Sequence, residues 1–202
     1  MRIHTFHDNI GRDQSALPLV YFWKERWERQ GWEAVILGRD DAQKHPQWAG
    51  LATAYDRLPT VNGKPYEFAC YVRWLAMEMA GGGWMTDSDV IPYGFQPRAP
   101  TERLTLWNGG ACPCMVSGSA AEYGRLARRF AAWQPTVKDM NFAHGPHCSD
   151  QNICDQIPGE YDVERAVVQY LDPGWQKAEA VHYAGCVMSD KRPKFSWIPR
   201  LR

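Results

Sequence analysis

The chain has no surplus of charge of either sign, with 23 Lys and Arg set against 23 Asp and Glu. Without a net field, nothing draws the molecule as a whole onto nucleic acid or an anionic membrane, and an anionic ligand must be bound locally. There is also no apolar run long enough to cross a bilayer. Met1 to Asn9 is polar and strand-like rather than a charged head followed by an apolar stretch, so no export signal is expected and a cytoplasmic location is. A disulfide framework is missing too. The six cysteines, at 70, 112, 114, 148, 154 and 186, are dispersed along 202 residues, a length that buries a core unaided, and they are expected to be mostly thiols in a single domain spanning 1–202. Internal repeats and low-complexity segments are absent.

Aromatics are plentiful. Ten tryptophans are expected mostly to fill the core, with a few in a groove. Arg2 to Phe6 alternates as a strand, and Ser15 with Pro18 opens a helix in which Ala16, Val20, Trp23 and Trp27 recur at helical spacing until Gly31. Trp32 to Leu37 follows as a strand, and its continuously apolar Ala34 to Leu37 suits a central parallel strand covered on both faces. A polar region from Asp40 to Lys64 holds one short helix near Trp48 to Asp56. Glu67 to Ala80 reads as a helix with Phe68, Val72, Leu75 and Met79 on one face, ended by Gly81, Gly82 and Gly83. Trp84 to Thr86 then forms a strand that delivers Asp87, Ser88 and Asp89. Later elements are a strand at Leu104 to Trp107, a helix at Ala120 to Trp133, a short helix capped by Ser149 through Ile157, and a strand at Ala178 to Tyr183. Alternating helices and strands predict an α/β fold with a mostly parallel central sheet flanked by helices.

Two carboxylates at i and i+2 on an extended segment point to one side, because strand side chains alternate with period two. At the C-terminal end of a sheet strand they face a crevice together. Such a pair repels itself unless a cation lies between, and hard oxygen ligands suit Mg²⁺ or Mn²⁺. The alternative for Asp87 and Asp89 is a turn cap before Pro92. For Arg73 it is a salt bridge, for His182 a hydrogen-bonded structural role, and for Asp150 a helix-start carboxylate facing the macrodipole.

The stretch GGGWMTDSDV resembles the GGiYlDtDv signature of the DXD sugar transferases of glycosyltransferase family 32, and it follows a helix that contains an arginine, as it does in that family. Arg73 matches the family arginine near the donor sugar, whereas the family aspartate three residues earlier falls on Cys70. Val181 to Gly185 is similar to the HxxG element with which related retaining families bring a histidine to the metal. The resemblance implies a GT-A-like nucleotide-diphospho-sugar transferase in which Asp87, Asp89 and His182 hold Mn²⁺ or Mg²⁺. It implies that Arg73, Gly185, Lys191, Arg192 and Lys194 serve the donor, with the three cations near its diphosphate, and that Asp150 with Gln151 lies near the sugar or acceptor. The donor implied is a UDP-sugar, transferred with retention to a glycan or other small acceptor, with any membrane contact peripheral and made through that acceptor. His4, Phe6, His7 and Asp8 could touch the base, or be ordinary strand residues.

Three rivals stand beside this reading, and one, a metal-dependent phosphoesterase or nuclease on the same acidic pair, needs more converging carboxylates and histidines than the sequence offers. Cys112, Cys114, His144, His147, Cys148 and Cys154 offer soft ligands for a zinc-binding interaction module, although Cys-Pro-Cys is expected to be too tight for easy joint coordination. A nucleotide-sugar binder without catalysis is the third, and Cys70 is the residue that raises it.

Overall fold

The computed structural model describes residues 1–8, 17–141 and 145–184. Its elements run β1 (Arg2–Phe6), α1 (Leu17–Arg29), β2 (Glu33–Leu37), α2 (Arg39–Gln43), α3 (Trp48–Arg57), α4 (Lys64–Met79), β3 (Gly82–Thr86), β4 (Val90–Pro92), β5 (Thr105–Leu106), β6 (Met115–Ser119) and α5 (Ala120–Ala131). After them come β7 (Met140–Asn141), β8 (Gly145–Pro146), α6 (Asp150–Gln156), β9 (Asp162–Val163), β10 (Val167–Gln169) and β11 (Ala180–His182). Among the described residues, no helix is long and apolar enough to cross a membrane.

The main sheet has the order β2-β1-β3-β6-β5-β9. β1 pairs in parallel with β2, Thr5 opposite Ile36, and with β3, Ile3 opposite Trp84. Beyond β3 the direction reverses: β6 is antiparallel to both β3 and β5, and β5 is parallel to β9. The expected parallel sheet therefore describes the β2-β1-β3 half, and the whole is mixed. β2 is the edge strand rather than a central one. Its apolar run is nonetheless used on both faces, since Val35 and Leu37 pack into one apolar cluster while Ala34 and Ile36 join the other. A second sheet, β10-β11-β4, pairs β10 with β11 in parallel and β11 with β4 antiparallel.

Alternation along β3 and β6 splits the core between the two faces of the sheet. Trp84 and Met115 face the α1 side with Ile3, Trp23, Trp27, Trp32 and Phe95, whereas Met85 and Val116 face α4 and α5 with Tyr71, Trp74, Leu75 and Phe130. Among the described residues, six tryptophans are buried, at 23, 27, 32, 74, 84 and 133. Helix α1 stops where Gly31 takes φ +85° and its N–H bonds to Glu28 O, a left-handed ending that glycine adopts without steric cost. The helix start placed at Ser15 and Ala16 lies outside the described residues.

Helix α4 starts one turn earlier than its periodicity suggests, with Pro65 in its first turn, where a missing N–H is harmless. Its inward face is also wider. Tyr71, Val72, Trp74, Leu75, Ala76 and Met77 are all buried, while the expected Met79 is 40% exposed. The helix packs against α2, α3 and α5 as well as β3, so a single apolar stripe underestimates what it covers. Gly81, Gly82 and Gly83 then take φ +92°, +79° and +105°. At Gly82 a Cβ would stand 2.4 Å from Ala120 N and 2.7 Å from Gly118 O, so only glycine lets β3 lie this close to the β6–α5 junction.

Candidate metal centre

The turn Asp87-Ser88-Asp89 joins β3 of the large sheet to β4 of the small one. Backbone bonds fix it from three directions: Asp87 N donates to Cys114 O at 2.8 Å, Val90 N to Asp87 O at 3.1 Å, and Tyr183 N to Asp89 O at 3.0 Å. Two buried indoles of α1 hold its shoulders. Trp23 Nε1 donates to Thr86 Oγ1 at 2.7 Å, and Trp27 Nε1 donates to Val90 O at 3.1 Å. Tryptophans expected only to fill volume therefore also clamp the backbone on either side of the acidic pair.

His182 reaches the same place through β-sheet register. It stands opposite Val90 across the β11–β4 ladder, which sets its ring beside the turn. Its Nε2 lies 3.3 Å from Asp89 Oδ1 and 4.0 Å from Asp87 Oδ2. One donor atom from each of Asp87, Asp89 and His182 lies within 4.8 Å of the others. The structure thus brings together the three residues expected to hold a metal. The ring's Nδ1 is 2.8 Å from the amide nitrogen Nε2 of Gln169, its register partner on β10, and that amide can present either its nitrogen or its oxygen to the ring. An ion on Nε2 requires Nδ1–H to donate, so Gln169 would then present its oxygen, an orienting role that the sequence did not signal.

Charge in this cluster is unusual. Burial works against a charged His182, but its bonds to Asp89 and Cys112 and the two carboxylates prevail and raise it to about 10. Burial likewise lifts Asp87 to about 7, Arg73 opposing and Asp89 reinforcing. A protonated imidazole together with the proton that Asp87 partly retains therefore offsets the charge of the acidic pair. Exchanging that proton and Asp87's own for one divalent cation leaves the net charge unchanged. Two carboxylates and one imidazole are a fitting donor set for a hard ion, and the imidazole favours Mn²⁺ over Mg²⁺.

Arg73 lies behind the pair, its side chain 11% exposed. One guanidinium nitrogen, Nη1, bonds Asp87 Oδ1, and the other, Nη2, bonds Asp150 Oδ2 at 2.7 Å and Pro113 O at 3.4 Å. Asp150 also accepts from Trp74 Nε1 at 3.0 Å. Asp150 is thus joined to the acidic pair through one arginine. Asp150 also begins α6, whose cap is Ser149, accepting from Asn152 N at 3.1 Å as expected. Asp150 is therefore a helix-start carboxylate that is also ion-paired to Arg73.

Other sequence candidates are scattered. His4 is buried with Nδ1 3.0 Å from Trp84 O, and Phe6 packs on the core, so both behave as strand residues. His7 and Asp8 line a cavity of about 730 Å³ with Gly38, Arg39, Lys64 and Phe68 at the C-terminal ends of β1 and β2, the edge at which β3 delivers Asp87. Arg39 Nε donates to Asp8 at 3.0 Å there. Among the described residues, the soft ligands proposed for a zinc module do not all come together. His147 faces Thr60 at 3.2 Å, and Cys148 and Cys154 join no ligand cluster among the described residues. Cys112 and Cys114, however, converge with each other and with His182, one ligand atom of each lying within 4.8 Å of the others. Their thiols share a hydrogen bond, which with His182 pulls Cys112 down to about 5 despite burial. Gly185, Lys191, Arg192, Lys194, Cys186 and His144 lie outside the described residues.

Among models of known protein families, none matches the chain. A search of curated proteins likewise finds no match.

Proposed function

We propose that this chain is a metal-dependent glycosyltransferase of the DXD kind, with a GT-A-like fold, that moves a sugar from a nucleotide diphosphate, a UDP-sugar in the first instance, to a glycan or other small acceptor. The observation that supports it most is the meeting of Asp87, Asp89 and His182, distant in sequence, with ligand atoms inside 4.8 Å. A turn cap requires no histidine, and a structural histidine requires no second carboxylate. The strand order, with three parallel strands followed by an antiparallel one, and the cavity at the carboxyl ends of β1 and β2 agree with a nucleotide-binding α/β architecture.

In this reading a divalent ion supplies the positive charge that stabilises a departing diphosphate. The chain's own residues prepare the place for it. Asp89 and His182 would hold the ion directly, and Asp87 would contact it indirectly while facing the ribose or sugar side. Arg73 is a positioning residue, since its two carboxylate bonds set where Asp87 points. Lys191, Arg192 and Lys194 are the cations proposed for the diphosphate. A polar cavity of about 480 Å³ bounded by Cys112, Lys138, Gln151 and Asp155 is the proposed acceptor side. Retention of configuration is proposed from the resemblance, and no described residue is assigned as a nucleophile.

A screen of nucleotide-sugars for manganese-dependent nucleotide release tests this, with Asp89→Asn as control. Release that needs both manganese and Asp89 is the expected result. Equal release by the variant removes the metal assignment. Tight donor binding without turnover selects the non-catalytic binder, the reading favoured by Cys70 at the family's aspartate position.

A further inference from the structure

The acidic pair is not the only ligand set that His182 completes. The thiol sulfurs of Cys112 and Cys114 and a ring nitrogen of His182 also lie within 4.8 Å of one another. Cys114 and His182 are buried and Cys112 is half-buried. The placement follows from strand pairing. β6 is antiparallel to β3 with Thr86 opposite Met115, so the residues just before β6 come alongside the acidic turn, and Cys114 O accepts the Asp87 N–H. Pro113 and Cys114 form a turn leading into β6, and this turn brings both sulfurs beside His182 of β11.

Two thiolates and an imidazole form a three-ligand set that prefers soft or borderline divalent ions, with a fourth position left for water. With Nδ1 engaged by Gln169, His182 has one ring nitrogen for a metal. That nitrogen cannot serve two ions at once. We propose that Cys112, Cys114 and His182 form a second, thiophilic site of the Zn²⁺ class, and that an ion held there and a hard ion held by Asp87, Asp89 and His182 exclude each other. The exclusion clause rests on the metal reading of the acidic pair, whereas the thiolate site stands without it. Zinc would then switch the centre off by taking its histidine, without touching either carboxylate.

Cadmium serves as a probe because its thiolate complexes absorb in the ultraviolet. Titration of the whole chain with CdCl₂ is expected to give a thiolate-to-cadmium band that saturates at one ion per chain. It should persist in Asp87→Asn/Asp89→Asn and vanish in Cys112→Ser/Cys114→Ser. A second measurement needs no variant: Zn²⁺ should slow alkylation of Cys112 and Cys114 by iodoacetamide at least tenfold, as read by peptide mass spectrometry, while leaving Cys70 unaffected. For the exclusion, manganese binding is followed by its paramagnetic resonance signal, and one equivalent of Zn²⁺ is expected to release the bound Mn²⁺.

No cadmium band in the wild-type chain, a band that survives the double serine variant, or unchanged alkylation overturns the thiolate site. Simultaneous stoichiometric binding of both ions overturns the exclusion. A cadmium site in a chain that takes up no manganese at all would leave the thiolate site standing and remove the carboxylate reading instead, so the two failures are told apart.

Discussion

Replacing Arg73 with Met keeps most of the side chain's volume and deletes a cation shared by two carboxylates. Asp150 has a side chain only 5% exposed, so its charge loses its counter-ion in a poorly hydrated place, whereas Asp87, 31% exposed, can recover part of the loss from water. Breaking a buried ion pair by removing one partner costs about 3–5 kcal/mol, and an exposed one about 1 kcal/mol or less. Asp150 keeps its bonds from Trp74 Nε1 and Gln151 N, which soften the penalty. The expected loss is therefore about 3–5 kcal/mol, nearly all of it on the Asp150 side. Urea denaturation at neutral pH in the presence of a chelator, followed by tryptophan fluorescence, measures it. In an Asp150→Asn background no buried anion is stranded, and the same Arg73→Met change should cost only about 1–2 kcal/mol, a coupling of about 2–3 kcal/mol. A loss under 1 kcal/mol, or equal losses in the two backgrounds, would refute the account of Arg73 as the counter-ion that holds Asp150 and Asp87 in place.

Burial raises Glu67 from 4.5 to about 7, against the bond it accepts from Asn62. Stability from this group is thus intact below pH 4.5 and lost as pH rises through 7. Glu67→Gln should therefore stabilise the fold above pH 7 by about 3 kcal/mol at most and about half that if water reaches the carboxyl, with no gain at pH 4; thermal melts that show a pH-independent difference would contradict this. Manganese must displace the proton of His182, held until about pH 10, and part of that on Asp87, held to about 7. Calorimetry in buffers of different ionisation heat should accordingly find between one and two protons released at pH 7, with affinity rising about tenfold per pH unit from 7.5 to 9; a pH-independent affinity would rule out His182 as a ligand. Gly82→Ala should cost about 3 kcal/mol or more, combining φ +79° with a Cβ 2.4 Å from backbone. Gly81→Ala, whose Cβ meets open space, should cost about 1–2 kcal/mol, and equal melting temperatures for the two would count against the close approach of β3 to the β6–α5 junction.

The central run of the fold was plain in the sequence, because helix, glycine break, strand and acidic pair each have a local cause. The run from α4 through Gly81–Gly83 to Asp87 and Asp89 appears in the structure in that order. Strand β6 escaped notice for an equally physical reason. Met-Val-Ser-Gly-Ser is short and half polar, and its buried Ser117 is tolerable only because Thr101 Oγ1 lies 2.7 Å away and Trp107 Nε1 donates to it at 2.9 Å. Those partners are remote in sequence and give no periodic signal. Missing β6 meant missing why Cys112 and Cys114 lie beside His182. Similarly, the apolar run of β2 identified a strand covered on both faces but not its position at the edge, since neighbour order depends on chain crossings rather than on composition. The links among Arg73, Asp87 and Asp150 depend on α6 reaching the end of β3, and no local pattern encodes that.

The acidic turn belongs to the passage from one sheet to another, and its histidine comes from the second sheet alone. A cation gripped by all three side chains would consequently act as a rivet through the seam, fastening β11 to the end of β3 as well as serving chemistry. Stripped of it, the β10-β11-β4 sheet is tethered at this corner by the His182–Asp89 ion pair and the Tyr183 N–H on Asp89. Amide hydrogen exchange along β11 should therefore report ion occupancy more sensitively than exchange anywhere in β1, making mechanical stiffness at the seam a direct gauge of loading.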